Sequence, residues 1–477
     1  MDVLAQAPTV TGRLPAQRVD PSGCLRIDHR AVFALALPLI LSGGVQVVLS
    51  LTDTWFIGHI SAAALAAVAA VQGFIGMLIA ILGCAAIVVQ TIVAQACGAR
   101  CYRRASLATW TGLWATLCIT PLFLIIGSCG RQILTHAGLR PPIDSLASQF
   151  WLPRVCGGPL ATALWVMTGL FTGIGQPRMT ALISAATVAL NIVFNELFIV
   201  TLSLGVGGSA MATNVALACG LVLALSVFLS DTHDRAYRSR TTYKPNTRRI
   251  LSQLRYGFPM ALLLAGDMLG YSLFQLMQVR LSTSDGVATQ LVLMLATISY
   301  VPGASIASAG TTLVGTAVGA GDREWAMRVG TRVIVLTLVC MGGIGLSLAL
   351  GGAWILPLFV TANTRDAVEI LSLGACLLWI AAGYQVFSAL VLGSGSCLRG
   401  AGDAAVPAAL VLPLSLLVFV PLAHSFTFAP GQGFIHWLPQ FGWGAIGGFV
   451  AVLIYQVLMG TALFLRWRAG IWQKIQI

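Results

Sequence analysis

Residues 31–56 read AVFALALPLILSGGVQVVLSLTDTWF, a stretch of 26 residues in which Asp53 is the only charged side chain. As an α-helix rising about 1.5 Å per residue, this stretch is longer than the roughly 30 Å hydrocarbon core of a bilayer. Comparable apolar segments recur along the whole chain. They cover residues 62–92, 105–128, 147–172, 179–202, 206–230, 256–280, 287–316, 328–350, 368–396, 404–428 and 443–465. The sequence therefore predicts an all-α polytopic membrane protein with twelve transmembrane helices.

The composition of the 477 residues supports this fold class and excludes others. Hydrophobic residues make up 57% of the chain and charged residues 9%, whereas soluble domains carry about 25% charged residues. A soluble enzyme, a disordered chain and a nucleic-acid-binding protein all need more polar surface. The 11 cysteines are scattered, mostly within apolar segments and without a CxxC pair. We therefore expect free thiols rather than a metal centre or a disulfide framework.

The basic residues predict the orientation in the membrane. With the N-terminus on the cytoplasmic side, the segments on that side hold 22 of the 27 Lys and Arg residues, and the outer segments hold 4. Cytoplasmic loops are enriched in Lys and Arg, so we expect both termini of a multi-pass protein of the bacterial inner membrane to be cytoplasmic. The first 30 residues carry four Arg but no apolar core, which argues against a cleavable signal peptide.

The two halves of the chain repeat one another. The matching pairs are Pro38 with Pro259 and Gln90–Arg100 (QTIVAQACGAR) with Thr311–Gly321 (TTLVGTAVGAG), both 221 residues apart. A third pair is Gly173–Pro177 (GIGQP) and Arg399–Asp403 (RGAGD), whose glycines align at an offset of 227. Six helices per half is an even number, so both halves enter and leave the membrane on the same side. We therefore predict two six-helix lobes related by a parallel pseudo-twofold repeat, an arrangement suited to alternating access.

The longest polar stretch separates the two halves and sets the expected organisation of the chain. In order, we expect a cytoplasmic tail (1–30), an N-lobe with helices one to six (31–230), a basic cytoplasmic linker (231–255), a C-lobe with helices seven to twelve (256–466) and a second cytoplasmic tail (467–477).

Three of the 15 acidic residues lie more than two residues inside the ends of predicted helices, namely Asp53, Glu196 and Asp267. An acidic side chain at the bilayer centre costs about 2.5–3.5 kcal/mol on insertion scales, so such a residue marks an interior or water-lined position. These three residues are therefore the first candidates for a functional role.

Four polar side chains of the first half are predicted to meet at one depth. Asp53 lies near the outer end of the first helix, and Asn191 and Asn195 share one face of the fifth because they are four residues apart. Thr213 lies at a similar depth in the sixth helix. One carboxylate, two amides and a hydroxyl suit a small hard cation such as Na⁺, or a proton on a buried carboxyl group. The alternative is that the asparagines only hydrogen-bond between helices and that Asp53 contacts surface water; whether Glu196 joins the group stays open.

Asp267 is predicted to lie near the midplane of the seventh helix, and the repeat places Gln46 at the corresponding position of the first half. An acidic group in a central cavity suits a cationic substrate or a proton, so we assign Asp267 to substrate binding. The alternative is a local hydrogen bond to a neighbouring helix.

Motifs for nucleotide hydrolysis and for other enzymatic chemistry are missing from the sequence. It contains no GxxxxGK[ST], HExxH or GxSxG motif, and its six His are scattered. We therefore expect no enzymatic activity, no bound nucleotide and no cofactor. Transport would then use an ion gradient, with Na⁺ or H⁺ as the coupling ion.

Taken together, these features resemble the multidrug and toxic compound extrusion (MATE) family over about residues 28–465. The motifs that carry the resemblance are Pro38 and Asp53 in helix one, QTIVAQACGAR after helix two, GIGQP after helix four, Asn191-xxx-Asn195, the GVGGSAMAT run containing Thr213, and LRGAGD (Leu398–Asp403) after helix ten. The resemblance implies a twelve-helix, two-lobe antiporter that exports amphipathic, often cationic compounds in exchange for Na⁺ or H⁺.

The resemblance also implies roles for individual residues. It places Asp53, Asn191, Asn195 and Thr213 on the family's N-lobe cation site, which makes them a candidate Na⁺ site. Asp267 falls where many members carry an acidic residue in helix seven. The chain departs from some members at Ser388 in helix ten, where they carry another acid. This departure favours the N-lobe site for coupling.

The expected partners are small organic substrates, cationic or amphipathic, and membrane lipid, with no nucleic acid and no nucleotide; we expect a monomer. Two other functions remain as alternatives. A flippase for lipid-linked oligosaccharides would line its cavity with several cationic residues, whereas Arg154 is the only basic residue placed mid-helix. A non-transporting channel or receptor has little use for duplicated six-helix halves, since channels usually build the pore around an oligomer axis.

Overall fold

The computed structural model describes residues 14–19, 25–136, 143–360, 367–435 and 437–474. Residues 1–13, 20–24 and 475–477 of the two expected tails lie outside the described residues. A short antiparallel hairpin of β1 (Gln17–Val19) and β2 (Leu25–Ile27) precedes the first helix.

In the described part of the first half the helices are α1 (His29–Ile60), α2 (Ala62–Leu82), α3 (Cys84–Gly98), α4 (Tyr102–Ser128), α5 (Gly130–His136), α6 (Ile143–Cys156), α7 (Gly158–Gly173), α8 (Pro177–Asn195), α9 (Gly205–Phe228) and α10 (Asp231–Tyr237). In the second half they are α11 (Thr247–Leu281), α12 (Thr283–Gly319), α13 (Arg323–Leu350), α14 (Gly352–Ile355), α15 (Ala367–Ala401), α16 (Ala405–Pro413), α17 (Val420–Thr427) and α18 (Gly444–Arg468). The fifth span of each half contains one π-helical segment. Glu196–Thr201 extends α8, and Leu414–Phe419 joins α16 to α17.

Twelve of these helical segments can cross a bilayer, which confirms the predicted all-α membrane fold. In the described residues, eleven spans are long and apolar enough when the π-helical segments are included, and the bent pair α6–α7 forms one more. Many large apolar side chains remain exposed, such as Leu37, Leu51 and Val339, as expected of helices whose outer faces contact lipid.

The chain divides into two compact units. The first contains Met1–Ala261 and Gly315–Asp322, and the second contains Leu262–Val314 and Arg323–Ile477. In the first unit α1 packs against α8, and α8 packs against α9. In the second unit α15 packs between α13 and α18.

The observed helices differ from two predicted segment boundaries. The second predicted segment, 62–92, is divided at Gly83 into α2 and α3, where a Cβ atom at position 83 would collide with Thr162 of α7. The expected linker 231–255 is partly helical: it contains α10, and α11 begins at Thr247 rather than at 256. The polar side chains of this region hid its helical parts, because hydropathy detects apolar helices only.

The repeat seen in the sequence is reproduced in the backbone. Gly175 and Gly402, which the repeat aligns, both adopt a left-handed conformation, with φ of 78° and 95°. Arg100 and Gly321, the second aligned pair, have φ of 56° and 84°. Each of the four turns is closed by the same two backbone hydrogen bonds, as in Schellman-type helix ends. The N–H of the left-handed residue donates to the carbonyl three positions before it. The N–H of the following residue donates to the carbonyl five positions before itself.

The fourth span of the first half was predicted as one segment, 147–172, but it is broken. α6 and α7 are bent by 45° at Gly157. α6 contributes Trp151 and Val155 to one hydrophobic cluster, and α7 contributes Val166 and Phe171 to another. The first cluster also includes Ala161 in the first turn of α7, so the span passes from one cluster to the other just after the break.

Candidate functional site

The first unit holds the four predicted residues on three adjacent helices, near the C-terminal ends of α1 and α8 and the N-terminal part of α9. Asp53 lies seven residues before the end of α1, and Asn191 and Asn195 lie on the face of α8 that is turned into the protein. Both asparagines are 0% exposed, and Thr213 of α9 is 7% exposed. Because α8 packs against both α1 and α9, the i, i+4 pair faces Asp53 on one neighbour and Thr213 on the other.

A continuous chain of hydrogen bonds joins these side chains. Asn195 Nδ2 donates to Asp53 Oδ1 at 2.6 Å and to Asn191 Oδ1 at 2.9 Å. Asn191 Nδ2 donates to Thr213 Oγ1 at 3.3 Å, and Thr213 Oγ1 donates to the backbone carbonyl of Ser209 at 3.0 Å. The structure thus brings all four predicted residues together, with the carboxylate at one end of the chain.

The group offers unused oxygen. Asn195 Oδ1 is buried and has no hydrogen-bond partner in the structure. A buried unsatisfied oxygen costs free energy, and a cation beside Asp53 would satisfy it. Carboxylate, amide and hydroxyl oxygens are the ligands that hard cations prefer. The donor set therefore fits Na⁺, and the carboxylate alone is sufficient for a proton.

Glu196, which the sequence left undecided, does not share this environment. It directly follows Asn195, but its side chain is exposed. It is also the first residue of the π-helical segment Glu196–Thr201. Such segments are frequent at functional sites, and here the change of helical geometry begins immediately after the residue that contacts Asp53.

The sequence did not predict that Arg154 belongs to this region. It lies in the last turn of α6, and it is the charged group that acts electrostatically on Asp53. Its Nη1 atom is buried and has no hydrogen-bond partner in the structure. The signal available in the sequence was the position of an Arg in the middle of an apolar segment.

The broken span is fixed by a residue adjacent to the site. Asn214, which follows Thr213 on α9, donates from Nδ2 to the carbonyl of Pro153 at 2.6 Å. A Cβ atom at Gly157 would collide with the Asn214 side chain. The same turn of α9 therefore supplies a hydroxyl to the polar chain and an amide to the break beside Arg154.

Asp267 has a different environment in the second unit. It lies on α11 and accepts a hydrogen bond at 2.9 Å from the hydroxyl of Tyr455 on α18. The next residue, Gln456, donates to the hydroxyl of Tyr271 at 2.8 Å. A hydrogen bond to a neighbouring helix is what the alternative interpretation of Asp267 anticipated. No spacing or motif in the sequence pointed to Tyr455 as the partner. Ser388, at the position of the missing acid, is half-buried on α15.

Comparison with known proteins places this geometry in context. The family profile MatE matches residues 38–197 and 259–424. The chain is 22% identical over 451 residues to a probable multidrug resistance protein NorM of Agrobacterium fabrum, covering 93% of this chain and 95% of that protein. It is 27% identical over 462 residues to a protein of the same name from Bradyrhizobium diazoefficiens, covering 94% and 95%.

Solved structures show the same fold. A multidrug resistance MATE family transporter in an outward-facing conformation superposes with a TM-score of 0.80 at 19% identity. The match covers 93% of this chain and 96% of that chain.

Proposed function

The chain belongs to the MatE family, and from this premise we propose that it is a multidrug efflux transporter working as a cation-coupled antiporter. Its substrates are small amphipathic, often cationic, organic compounds, which it exports in exchange for Na⁺ or H⁺. The membrane is the bacterial inner membrane, with both termini cytoplasmic, and the working unit is a monomer. Relatives named as probable multidrug resistance proteins over nearly their whole length support this assignment.

The observation that carries the coupling mechanism is the hydrogen-bonded chain that ends on Asp53. Asn195 fixes Asp53 Oδ1 at 2.6 Å and keeps its own Oδ1 free of partners. An arriving cation finds one negative charge and neutral oxygens already in position, so little reorganisation is needed. Binding and release of the cation change the charge of the N-lobe by one unit, and this change biases alternating access between the lobes.

Asp267 supplies the second part of the mechanism. Its carboxylate accepts a hydrogen bond from the hydroxyl of Tyr455, a neutral donor that brings no positive charge to compete with a cationic substrate. We therefore propose that the N-lobe binds the coupling ion and that Asp267 of the C-lobe binds cationic substrates. No cofactor takes part.

The experiment that tests the coupling mechanism is the Asp53→Asn variant in proteoliposomes. Asparagine keeps the size and can still hydrogen-bond, but it neither titrates nor contributes the charge that a cation needs. An imposed gradient supplies about 1.4 kcal/mol per pH unit or about 2.3 kcal/mol per charge per 100 mV. This energy cannot drive export when no residue exchanges the ion. We expect an inserted protein that still binds substrate but has lost gradient-driven efflux.

The matched control is Glu196→Gln, which neutralises the exposed acid next to Asn195 and should leave efflux intact. Normal gradient-driven efflux by a well-inserted Asp53→Asn protein would refute the mechanism. Loss of efflux in Glu196→Gln alone would move the coupling role to Glu196.

A further inference from the structure

Burying the Arg154 side chain at this position costs free energy. An arginine within a membrane-spanning helix is costly to insert, and the Nη1 atom of Arg154 is buried without a hydrogen-bond partner in the structure. A buried donor without a partner adds to this cost. No hydrogen bond at Nη1 offsets this free-energy cost in the structure. The presence of an arginine at this position therefore needs another explanation.

The fold itself does not require a charge here. The 227-residue offset that aligns Gly175 with Gly402 aligns Arg154 with Ala381 of α15, a residue 1% exposed. In the second half the corresponding span is therefore built with a small apolar side chain at this position. The same offset aligns Gly157 with Tyr384, and α15 continues unbroken through it. Both the charge and the break belong to the first half alone.

The electrostatic partner of Arg154 is Asp53. α6 packs against α9, and Asn214 of α9 donates to the carbonyl of Pro153, the residue before Arg154. Asn214 follows Thr213, which begins the hydrogen-bonded chain that ends on Asp53, so Arg154 lies beside this chain and within electrostatic range of the carboxylate. The helices packed against α1 offer no substitute: α2 and α9 carry no Asp, Glu, Lys, Arg or His. On α8 the basic residue is Arg178 in the first turn, thirteen residues before Asn191, and the following acid, Glu196, is exposed.

The interaction acts through space. The hydrogen bond given to Asp53 Oδ1 comes from Asn195, not from the guanidinium. A guanidinium in direct contact would occupy the carboxylate oxygens bidentately and leave no room for a transported cation. At a distance it compensates the negative charge while the oxygens stay available.

We propose that Arg154 is the internal counter-charge of Asp53, a positioning residue that competes with the coupling cation and thereby sets the ion concentration at which exchange occurs. The proposal rests on the antiport mechanism above. Without a bound cation, the charge of Asp53 is balanced by Arg154, so the emptied site holds no uncompensated buried charge. With a cation bound, the region carries one excess positive charge, which lowers affinity and speeds release of the ion.

The break positions this counter-charge. The carbonyl of Pro153 accepts the amide of Asn214, and Arg154 is the next residue. Because Asn214 follows Thr213, the helix that contributes to the ion site also fixes the turn that carries Arg154.

The test compares Arg154→Gln with Arg154→Lys in proteoliposomes, using exchange of a cationic dye at varied Na⁺ concentration and varied pH. The ion concentration for half-maximal exchange is the readout. Removing the positive charge should lower this concentration by about tenfold or more, which corresponds to about 1.4 kcal/mol. Arg154→Lys keeps the charge and should stay within about threefold of the parent protein. Arg131→Gln, which removes an exposed Arg on α5, is the matched control and should change nothing.

An unchanged half-maximal concentration in Arg154→Gln would overturn the proposal, and so would equal shifts in the Gln and Lys variants, because these indicate a structural role. If Arg154→Gln fails to insert, the double variant Asp53→Asn/Arg154→Gln decides: removal of both charges should restore insertion, and failure to restore it overturns the proposal. Absence of ion-driven exchange in the parent protein would instead refute the proposed function.

Discussion

At the scale of single residues, the two half-buried acids differ in what holds them. Asp53 accepts a hydrogen bond from the amide of Asn195, which is itself bonded to Asn191, so the carboxylate is part of an extended chain. Asp267 accepts a hydrogen bond from the hydroxyl of Tyr455, a buried side chain that stacks on Phe419. Both donors are neutral, and Asp53 in addition ends a chain of amide groups.

Asp267→Asn should reduce transport of cationic dyes by about tenfold or more and transport of neutral substrates much less, because only cationic dyes lose a Coulombic partner. Parallel efflux measurements with a cationic and a neutral fluorescent substrate provide the comparison. Tyr455→Phe removes the hydrogen bond but keeps the charge, so it should preserve the preference for cations. Equal losses for both substrates in Asp267→Asn would show that the carboxylate has only a structural role.

The grouping at Asp53 could be anticipated from the sequence because helical geometry is local. Asn191 and Asn195 must share a face, and counting residues from the helix ends gives their depth. The role of Arg154 and the pairing of Asp267 with Tyr455 could not be anticipated. They depend on how helices far apart in sequence rotate and bend against one another, and no spacing within one helix encodes that.

At the scale of helices, the break between α6 and α7 is the main departure from the predicted pattern. Residues 147–172 are apolar throughout, so hydropathy treats them as one span, although Pro153 and Gly157 are both helix-weakening residues. The structure shows that the bend requires a third residue, Asn214, from another helix. Hydropathy detects the span, but it cannot detect a bend that depends on packing.

Gly157→Ala should destabilise the protein by about 1–3 kcal/mol, the usual cost of forcing an extra methyl group into a packed site, because the new Cβ would meet the Asn214 side chain. Thermal unfolding in detergent micelles measures the change. Gly343→Ala on α13, where nothing lies within 4 Å of the added Cβ, is the control and should be neutral or slightly stabilising. Asn214→Ala in the Gly157→Ala background should recover part of the loss; identical unfolding of Gly157→Ala and the control would contradict this account of the break.

At the scale of the whole molecule, the twelve spans could be predicted because a bilayer imposes one length and one polarity on every helix that crosses it. The polar linker was predicted less well. α10 and the first nine residues of α11, which carry Arg248, Arg249 and Arg255, contain no long apolar run. α10 is held by the burial of His233 and Tyr237 against the first unit, and such tertiary contacts cannot be read from composition.

The proposed orientation can be tested by cysteine labelling of whole cells in a background without native cysteines. Lys244→Cys lies in the exposed stretch between α10 and α11, and Trp437→Cys lies in the loop before α18, where Trp437 is 83% exposed. We expect a membrane-impermeant thiol reagent to label position 437 and not position 244, because 22 of 27 basic residues lie on the proposed cytoplasmic side. The reverse labelling pattern would invert the topology.

The matched left-handed turns also bear on how such a chain evolves after duplication of an ancestral gene. The hydrogen bonds at Gly175 recur at Gly402, and those at Arg100 recur at Gly321, while the polar groups of the two halves share little. The backbone turns of the two halves therefore agree, whereas the side chains between them differ. One copy could acquire Arg154 where the other retains Ala381, so new chemistry could arise in one half while the other preserved the scaffold.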